Sequence, residues 1–148
     1  MKTLIAVLIL LSFLQSAIIP IDLVLIILIC RSYIRPDKSN LILVFAFGLL
    51  VGHLNLTSLG LQSLIYLILV SITEGLSKSR LAGNSFLIIP LVLLLSSINQ
   101  IMLSVFIHES FTIFPKNLLE AFLSLPILYI VRLWEERFIV RRGIKLRL

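Results

Sequence analysis

The side chains that could perform chemistry in this 148-residue sequence are few: His53, His108 and the single cysteine, Cys30. Neither histidine has a fixed carboxylate partner, and the segment at His108 lacks the second histidine of a zinc-peptidase helix. A lone cysteine cannot form an internal disulfide, so we expect Cys30 to be a small apolar filler. No serine occupies a nucleophile elbow, and no glycine-rich loop could cradle a phosphate. We therefore expect no metal, no cofactor and no catalytic residue, and a protein that is not an enzyme.

Polar side chains also follow one face of a long apolar segment. Ser97, Gln100 and Ser104 are spaced by three and four residues and lead toward His108, while Asn99 lies one position off this stripe. Residues at that spacing share a helix face. In lipid, such a face must turn toward other helices or toward a wet cavity. The stripe predicts interhelical hydrogen bonds or, alternatively, a ligand pocket.

Small residues cluster in another apolar segment, which contains Ala46, Gly48 and Gly52 and is followed by Gly60. Glycine weakens a helix by roughly 1 kcal/mol relative to alanine, so its use there needs a compensating gain. Small residues four apart let two helices approach closely in lipid. These residues predict a helix-packing surface, formed either within the chain or with a partner protein.

The amino-acid composition indicates whether water or lipid surrounds these segments. Hydrophobic residues make up 59% of the chain, charged residues only 14%, and the mean hydropathy is +1.15. A soluble domain of this length needs a charged surface of mixed sign, which this sequence cannot provide. We predict an all-α integral membrane protein with a single domain over residues 1–148. The net charge of +6 then reflects topology and not nucleic-acid binding.

The apolar segments predict a bundle of six transmembrane helices. The predicted spans are 4–19, 21–33, 41–54, 59–73, 86–107 and 118–134, followed by a basic tail over 135–148. Several are shorter than the roughly 20 residues of a perpendicular span, and a five-span alternative merges the first two. Pro20 would break such a merged helix and Asp22 would be costly in mid-bilayer, so we favour a turn with Asp22 capping the second helix. Asn117 and Glu120 resemble a capping box before the last span.

Basic residues are concentrated in alternate connections. With the N-terminus inside, every one of the 13 basic residues except Lys116 falls in an inner segment. Basic residues in short loops stay on the cytoplasmic side, so both termini are predicted to be cytoplasmic. Around Trp134 the basic residues are expected to anchor the chain to anionic lipid headgroups, or alternatively to dock a cytoplasmic partner. These anchors are Arg132, Arg137, Arg141 and Arg142.

Residues 17–70 contain a turn with Pro20 and Asp22 before an apolar second span, a short basic loop, and Gly48 within a Gly-Leu-Leu helix. A small turn ending in Leu59 and Gly60 and a further span containing Tyr66 follow. This pattern resembles the rod shape-determining protein MreD family, which shows a proline before an apolar second span, a short basic inner loop, a helix containing Gly-Leu-Leu, and a small turn ending in Leu-Gly. Family members commonly carry an aspartate where this chain has Gly52, so any contribution of that acidic group to partner binding is absent or altered here.

The resemblance implies a non-enzymatic scaffold of the bacterial cell-wall elongation complex, located in the inner (cytoplasmic) membrane and helping to maintain rod shape. It implies binding to a bitopic MreC-like protein. Through that protein it implies association with the actin-like filament, a RodA-type glycosyltransferase and a penicillin-binding transpeptidase.

The alternative function is the substrate-binding membrane component of a vitamin-type, energy-coupling-factor transporter, a class of small six-span proteins to which the MreD fold is similar. Such a component needs an outward ligand pocket and an alanine face on its first helix. Ala6 and Ala17 do not form such a face, and the outer loops are short. We therefore favour the scaffold.

Overall fold

A computed structural model describes residues 2–18, 21–58, 60–79, 84–108 and 115–138. These residues form six α-helices and one 3₁₀ turn, and no strand occurs among them, which confirms the all-α prediction. The helices are α1 (Lys2–Ala17), α2 (Leu23–Ile34), α3 (Lys38–Leu54), α4 (Leu61–Ser77), α5 (Ile88–Ile107) and α6 (Lys116–Phe138), with the 3₁₀ turn Ser85–Leu87 leading into α5.

The helices run alternately up and down. Asp22, just before α2, is hydrogen-bonded to Glu120 near the start of α6, whereas Arg31 near the end of α2 is paired with Glu135 near the end of α6. The Ser16 hydroxyl near the end of α1 likewise donates to the last carbonyl of α3. Short connections make sequential helices antiparallel neighbours. We call the two ends of the bundle the Asp22 end and the Arg31 end.

The shortest helix, α2, forms the centre of the bundle. Nine of its 12 residues are buried, and it contacts all five other helices. Its sequence, LVLIILIC over residues 23–30, is apolar on every side, so it has no polar face that would need contact with water. The core around it includes fully buried Leu25, Leu28 and Tyr66.

The outer surface of the bundle is largely apolar. Large hydrophobic side chains are exposed on every helix except α2, among them Leu10 (64%), Ile42 (73%) and Phe122 (63%). Most buried polar side chains instead lie between helices. This arrangement is the reverse of the one expected in water, where charged and polar groups cover the surface.

Two of the described helical segments are long and apolar enough to cross a membrane, Ser85–Phe106 and Lys116–Arg137. The other four are apolar helices of 12 to 17 residues. α1 and α2 are separate helices, so the single long helix that the five-span alternative assumes is not formed.

α6 continues to Phe138 and so includes the first four residues of the predicted basic tail. The reason is that Glu135 is buried against Arg31 and keeps this turn in contact with α2.

Candidate functional site

Charged, amide and hydroxyl side chains, most of them buried, meet at the Asp22 end, where the α1–α2 turn meets α5 and α6. This Asp22 cluster consists of Asp22, Ser96, Asn99, Lys116, Asn117 and Glu120. Its members come from three separate parts of the chain, so the cluster exists only in the folded bundle.

The two carboxylates of the cluster share one cation. Lys116 Nζ lies 4.0 Å from Asp22 Oδ2 and 4.0 Å from Glu120 Oε1. Asn99 Nδ2 donates to Asp22 Oδ2 at 3.0 Å, and the Asp22 backbone N–H donates to Glu120 Oε1 at 3.2 Å. Buried charges are tolerated when they are paired and hydrogen-bonded in this way.

The same cluster joins α5 to α6. The Ser96 hydroxyl lies within hydrogen-bonding distance of the Glu120 carboxylate and is 3.1 Å from Asn117 Oδ1. Asn117 Nδ2 in turn donates to Ser97 Oγ at 3.2 Å. Side-chain networks of this kind hold packed helices in one relative position, so the cluster fixes the register of α5 against α6.

The predicted capping roles of Asp22 and Glu120 are wrong. The Asp22 side chain makes no capping hydrogen bond to α2. α6 begins at Lys116, so Asn117 lies inside the first turn and is not the cap that a capping box requires. Both carboxylates are instead used across the bundle, because a buried charge needs partners that a local cap cannot supply.

The inward polar face of α5 also differs from the predicted stripe. Ser96 and Asn99 are buried in the Asp22 cluster, with exposures of 3% and 1%. The predicted members are only partly buried or are exposed: Ser97, Gln100, Ser104 and His108. Of these, Ser97 touches the cluster, whereas the Ser104 hydroxyl donates to the carbonyl of Ile101 in its own helix. The stripe therefore lies beside the buried face.

A second polar group adjoins the cluster from α1 and α4. Gln15 Oε1 accepts from the backbone N–H of Val24 at 3.1 Å. The Gln15 and Gln62 side chains lie beside the hydroxyl of Tyr66, which is fully buried. Polar side chains from α1 and α4 therefore meet near the first turn of α2, at the same end of the bundle.

At the Arg31 end, an ion pair that the sequence did not reveal is buried between α2 and α6. Arg31 Nε lies 3.7 Å from Glu135 Oε1, and both side chains are less than 10% exposed. The missed signal is the spacing of Glu135, which is four residues beyond Val131 and seven beyond Leu128, two buried residues of α6. Residues at that spacing share a face, so a carboxylate there enters the core.

The surface of the Arg31 end carries weaker contacts. Arg132 and Glu136 form an exposed i,i+4 pair at 3.4 Å. In the α2–α3 loop the Ser39 hydroxyl donates to Asp37 Oδ2 at 3.1 Å, and this bond lowers the pKa of the Asp37 carboxyl from its usual value.

The glycines of α3 lie against α4. A Cβ at Gly48 would be 2.5 Å from Ser63 Cα, and one at Gly52 would be 3.2 Å from Gln62 Cβ. Ala46, predicted in the same surface, is exposed and does not share this contact.

Gly60 has a different role from the packing role predicted for it. It precedes α4 with φ +93°, and a Cβ there would have no neighbour within 4 Å. Gly60 is therefore required by the left-handed backbone of the turn and not by helix packing.

The remaining candidates are not gathered into one site. Cys30 is buried with its thiol 3.7 Å from the Ser124 carbonyl, while His53 is exposed at the end of α3. Arg132 and Arg137 are exposed on α6. Pro20, Leu59, Arg141 and Arg142 lie outside the described residues.

An apolar groove opens on the side of the bundle between α1 and α6, with α2 as its floor. We call it the α1–α6 groove; its volume is about 420 Å³. It is lined by Leu4, Val7 and Leu11 of α1, by Leu23 and Ile27 of α2, and by residues of α6 between Leu123 and Trp134.

Within the described part of the chain, no group of three or more histidine, cysteine or acidic side chains could hold a metal ion. The polar clusters consist of side chains that bond one another across helices, so what they can do is hold the bundle in one arrangement. Comparison of the chain with family models, curated proteins and solved structures finds no match.

Proposed function

We propose that this chain is a non-enzymatic scaffold in the bacterial inner membrane. In this role it binds a bitopic MreC-like partner in the complex that elongates the cell wall. The observation that carries the proposal is the reversed surface of the bundle, with apolar side chains outside and paired polar side chains inside. The resemblance of residues 17–70 to MreD supplies the identity of the complex, including its actin-like filament, RodA-type glycosyltransferase and penicillin-binding transpeptidase.

The short helices are compatible with six spans when their places in the bundle are considered. α2, with 12 residues, is surrounded by protein and need not match the bilayer. α1, α3 and α4 have 16 or 17 residues, which corresponds to about 24 to 26 Å of helix. That is a few ångström less than the hydrocarbon core of about 30 Å, a mismatch that thinning and snorkelling accommodate.

The charges favour one orientation. All described basic residues except Lys116 lie at or near the Arg31 end of the bundle: Lys2, Arg31, Arg35, Lys38, Lys78, Arg132 and Arg137. Because basic residues near short loops remain cytoplasmic, the Arg31 end faces the cytoplasm and so do both ends of the described chain.

The outward face of α4 is the surface that we assign to the partner helix. Leu64, Ile68, Ser71 and Gly75 are spaced by four, three and four residues, and all four are exposed. A Cβ at Gly75 would meet nothing within 4 Å. Small residues four apart on an exposed face let a second helix approach closely in lipid.

Co-purification tests the proposal. The tagged chain is expressed with the bitopic coiled-coil protein of the same bacterium, extracted in mild detergent and isolated by its tag. We expect the partner to co-purify with the wild type and to be largely lost with Gly75→Leu, because a large side chain there separates the two helices. Ala6→Leu makes a comparable change at an exposed site on α1 and is expected to retain the partner.

Failure of the wild type to retain the bitopic protein would contradict the proposal. A vitamin found bound to the purified chain would instead support the transporter alternative. The polar side chains at the Asp22 end bond one another, which favours the scaffold over a ligand pocket at that place.

A further inference from the structure

We infer that the α1–α6 groove holds an acyl chain of an anionic phospholipid from the cytoplasmic leaflet. The inference uses the membrane location and orientation proposed above and adds a specific lipid site. It rests on the lining, the length and the charged ends of the groove.

The lining of the groove is hydrocarbon. Leu4 and Val7 on one wall and Ile127 and Ile130 on the other face each other across Ile27 on its floor. The volume of about 420 Å³ lies between three helices of the chain and is partly open to the surroundings, so in the proposed membrane location lipid has access to it. An acyl chain placed there exchanges dispersion contacts with neighbouring lipid chains for contacts with three helices, and it gives partner atoms to the apolar lining of the groove.

The length of the groove suits one leaflet. From Leu123 to Trp134 the α6 wall rises by about 16 Å, at 1.5 Å per residue. This is about half of the 30 Å hydrocarbon core, whereas a partner's transmembrane helix needs a surface that runs the full depth. The groove therefore fits an acyl chain that enters from one side better than it fits a helix.

The two ends of the groove carry opposite charges. Trp134 lines its end at the Arg31 side, and Arg137, three residues further along the same face of α6, is exposed. Tryptophan favours the headgroup level of a bilayer, and arginine there attracts anionic lipid. At the other end, Leu23 directly follows Asp22, whose cluster has two carboxylates for one lysine. That end disfavours an anionic headgroup, so the lipid is expected from the cytoplasmic side.

The site can be tested with lipid of known composition. The purified chain is incubated with vesicles containing equal amounts of phosphatidylglycerol and phosphatidylcholine, reisolated in detergent and weighed by native mass spectrometry. We expect one retained phospholipid, with phosphatidylglycerol favoured about fivefold. Ile127→Trp fills the groove and is expected to lose the retained lipid. Val105→Trp, at an exposed position on α5 outside the groove, is expected to keep it.

A second pair of variants tests the headgroup. Arg137→Gln is expected to keep a bound lipid but lose the preference for phosphatidylglycerol. Arg132→Gln removes an exposed arginine that is paired with Glu136 and lies two residues from Trp134, off the face that Trp134 and Arg137 share, and should leave the preference unchanged. Equal retention of both lipids by the wild type, or equal retention by Ile127→Trp and Val105→Trp, would overturn the proposal. These measurements use the chain alone, so their outcome does not depend on whether the bitopic partner binds.

Discussion

At the scale of single residues, Glu120 shows why polar partners are hard to predict from sequence. Its position three residues after Asn117 favours a local cap, but its oxygen accepts from Asp22, which is 98 residues away along the chain. Helical spacing identifies which residues share a face. It does not identify which distant turn that face meets, so the cluster could not be predicted even though each member is visibly polar.

We expect Glu120→Ala to lower the free energy of unfolding by about 2 kcal/mol, because the Asp22 N–H loses its acceptor and Ser96 and Lys116 each lose one of their two partners. Glu120→Gln keeps an acceptor oxygen and should cost about 1 kcal/mol. Thermal unfolding in detergent can be followed by the reaction of buried Cys30 with a thiol dye. Equal midpoints for the alanine variant and the wild type would show that the cluster contributes nothing.

The Arg31–Glu135 pair allows a double-mutant cycle. Arg31→Met or Glu135→Leu alone should each cost about 3 kcal/mol, since each leaves a buried charge without its ion-pair partner. The double variant should cost clearly less than the two losses together. The exposed Arg132–Glu136 pair is the matched control, and its coupling should be below about 1 kcal/mol. Similar coupling in both cycles would contradict the burial argument.

At the scale of helices, the sequence predicted the existence and order of all six elements, because each is a continuous apolar segment bounded by polar turns. The glycine pair in α3 also drew attention to a close helix contact. The sequence could not name α4 as the neighbour or separate Gly60 from the packing residues. That distinction depends on its φ of +93°, a property of the folded turn.

Alanine substitutions at three helical glycines should give graded effects. Gly48→Ala places a Cβ against the backbone of Ser63 and should cost about 1 to 3 kcal/mol, whereas Gly52→Ala meets a side-chain atom at 3.2 Å and should cost less. Gly75→Ala points into open space, so the better helix propensity of alanine should raise stability by up to about 1 kcal/mol. Thermal midpoints of the three purified variants measure this order. A Gly48→Ala protein as stable as Gly75→Ala would contradict the close α3–α4 contact.

At the scale of the whole molecule, the all-α class follows from composition and apolar segmentation. The sequence also predicted that basic residues concentrate in alternate connections. Because the helices alternate in direction, these connections meet at the Arg31 end of the bundle. The central burial of α2 was not predicted. A short apolar helix has the same sequence pattern whether lipid or protein surrounds it.

Two single-cysteine variants test the orientation in a Cys30→Ala background. Ser58→Cys lies exposed at the Asp22 end and Ser79→Cys lies exposed at the Arg31 end. A membrane-impermeant thiol reagent applied to intact cells should label Ser58→Cys, and should label Ser79→Cys only after permeabilisation. The reverse pattern would invert the orientation, and labelling of both sites in intact cells would contradict the membrane-spanning bundle.

Asp22 and the lysine that pairs with it, Lys116, are far apart in the chain, and this separation affects the order in which the bundle can assemble during synthesis. The ribosome delivers the α1–α2 hairpin first and Lys116 only with the final helix, so during synthesis the early carboxylate has no lysine beside it. In the proposed membrane location, we expect the α1–α2 hairpin to remain incompletely inserted, with Asp22 near lipid headgroups or held by an insertase, until α6 is synthesised. A chain cut short before its last helix should then be recognised as incomplete and degraded by membrane quality-control proteases.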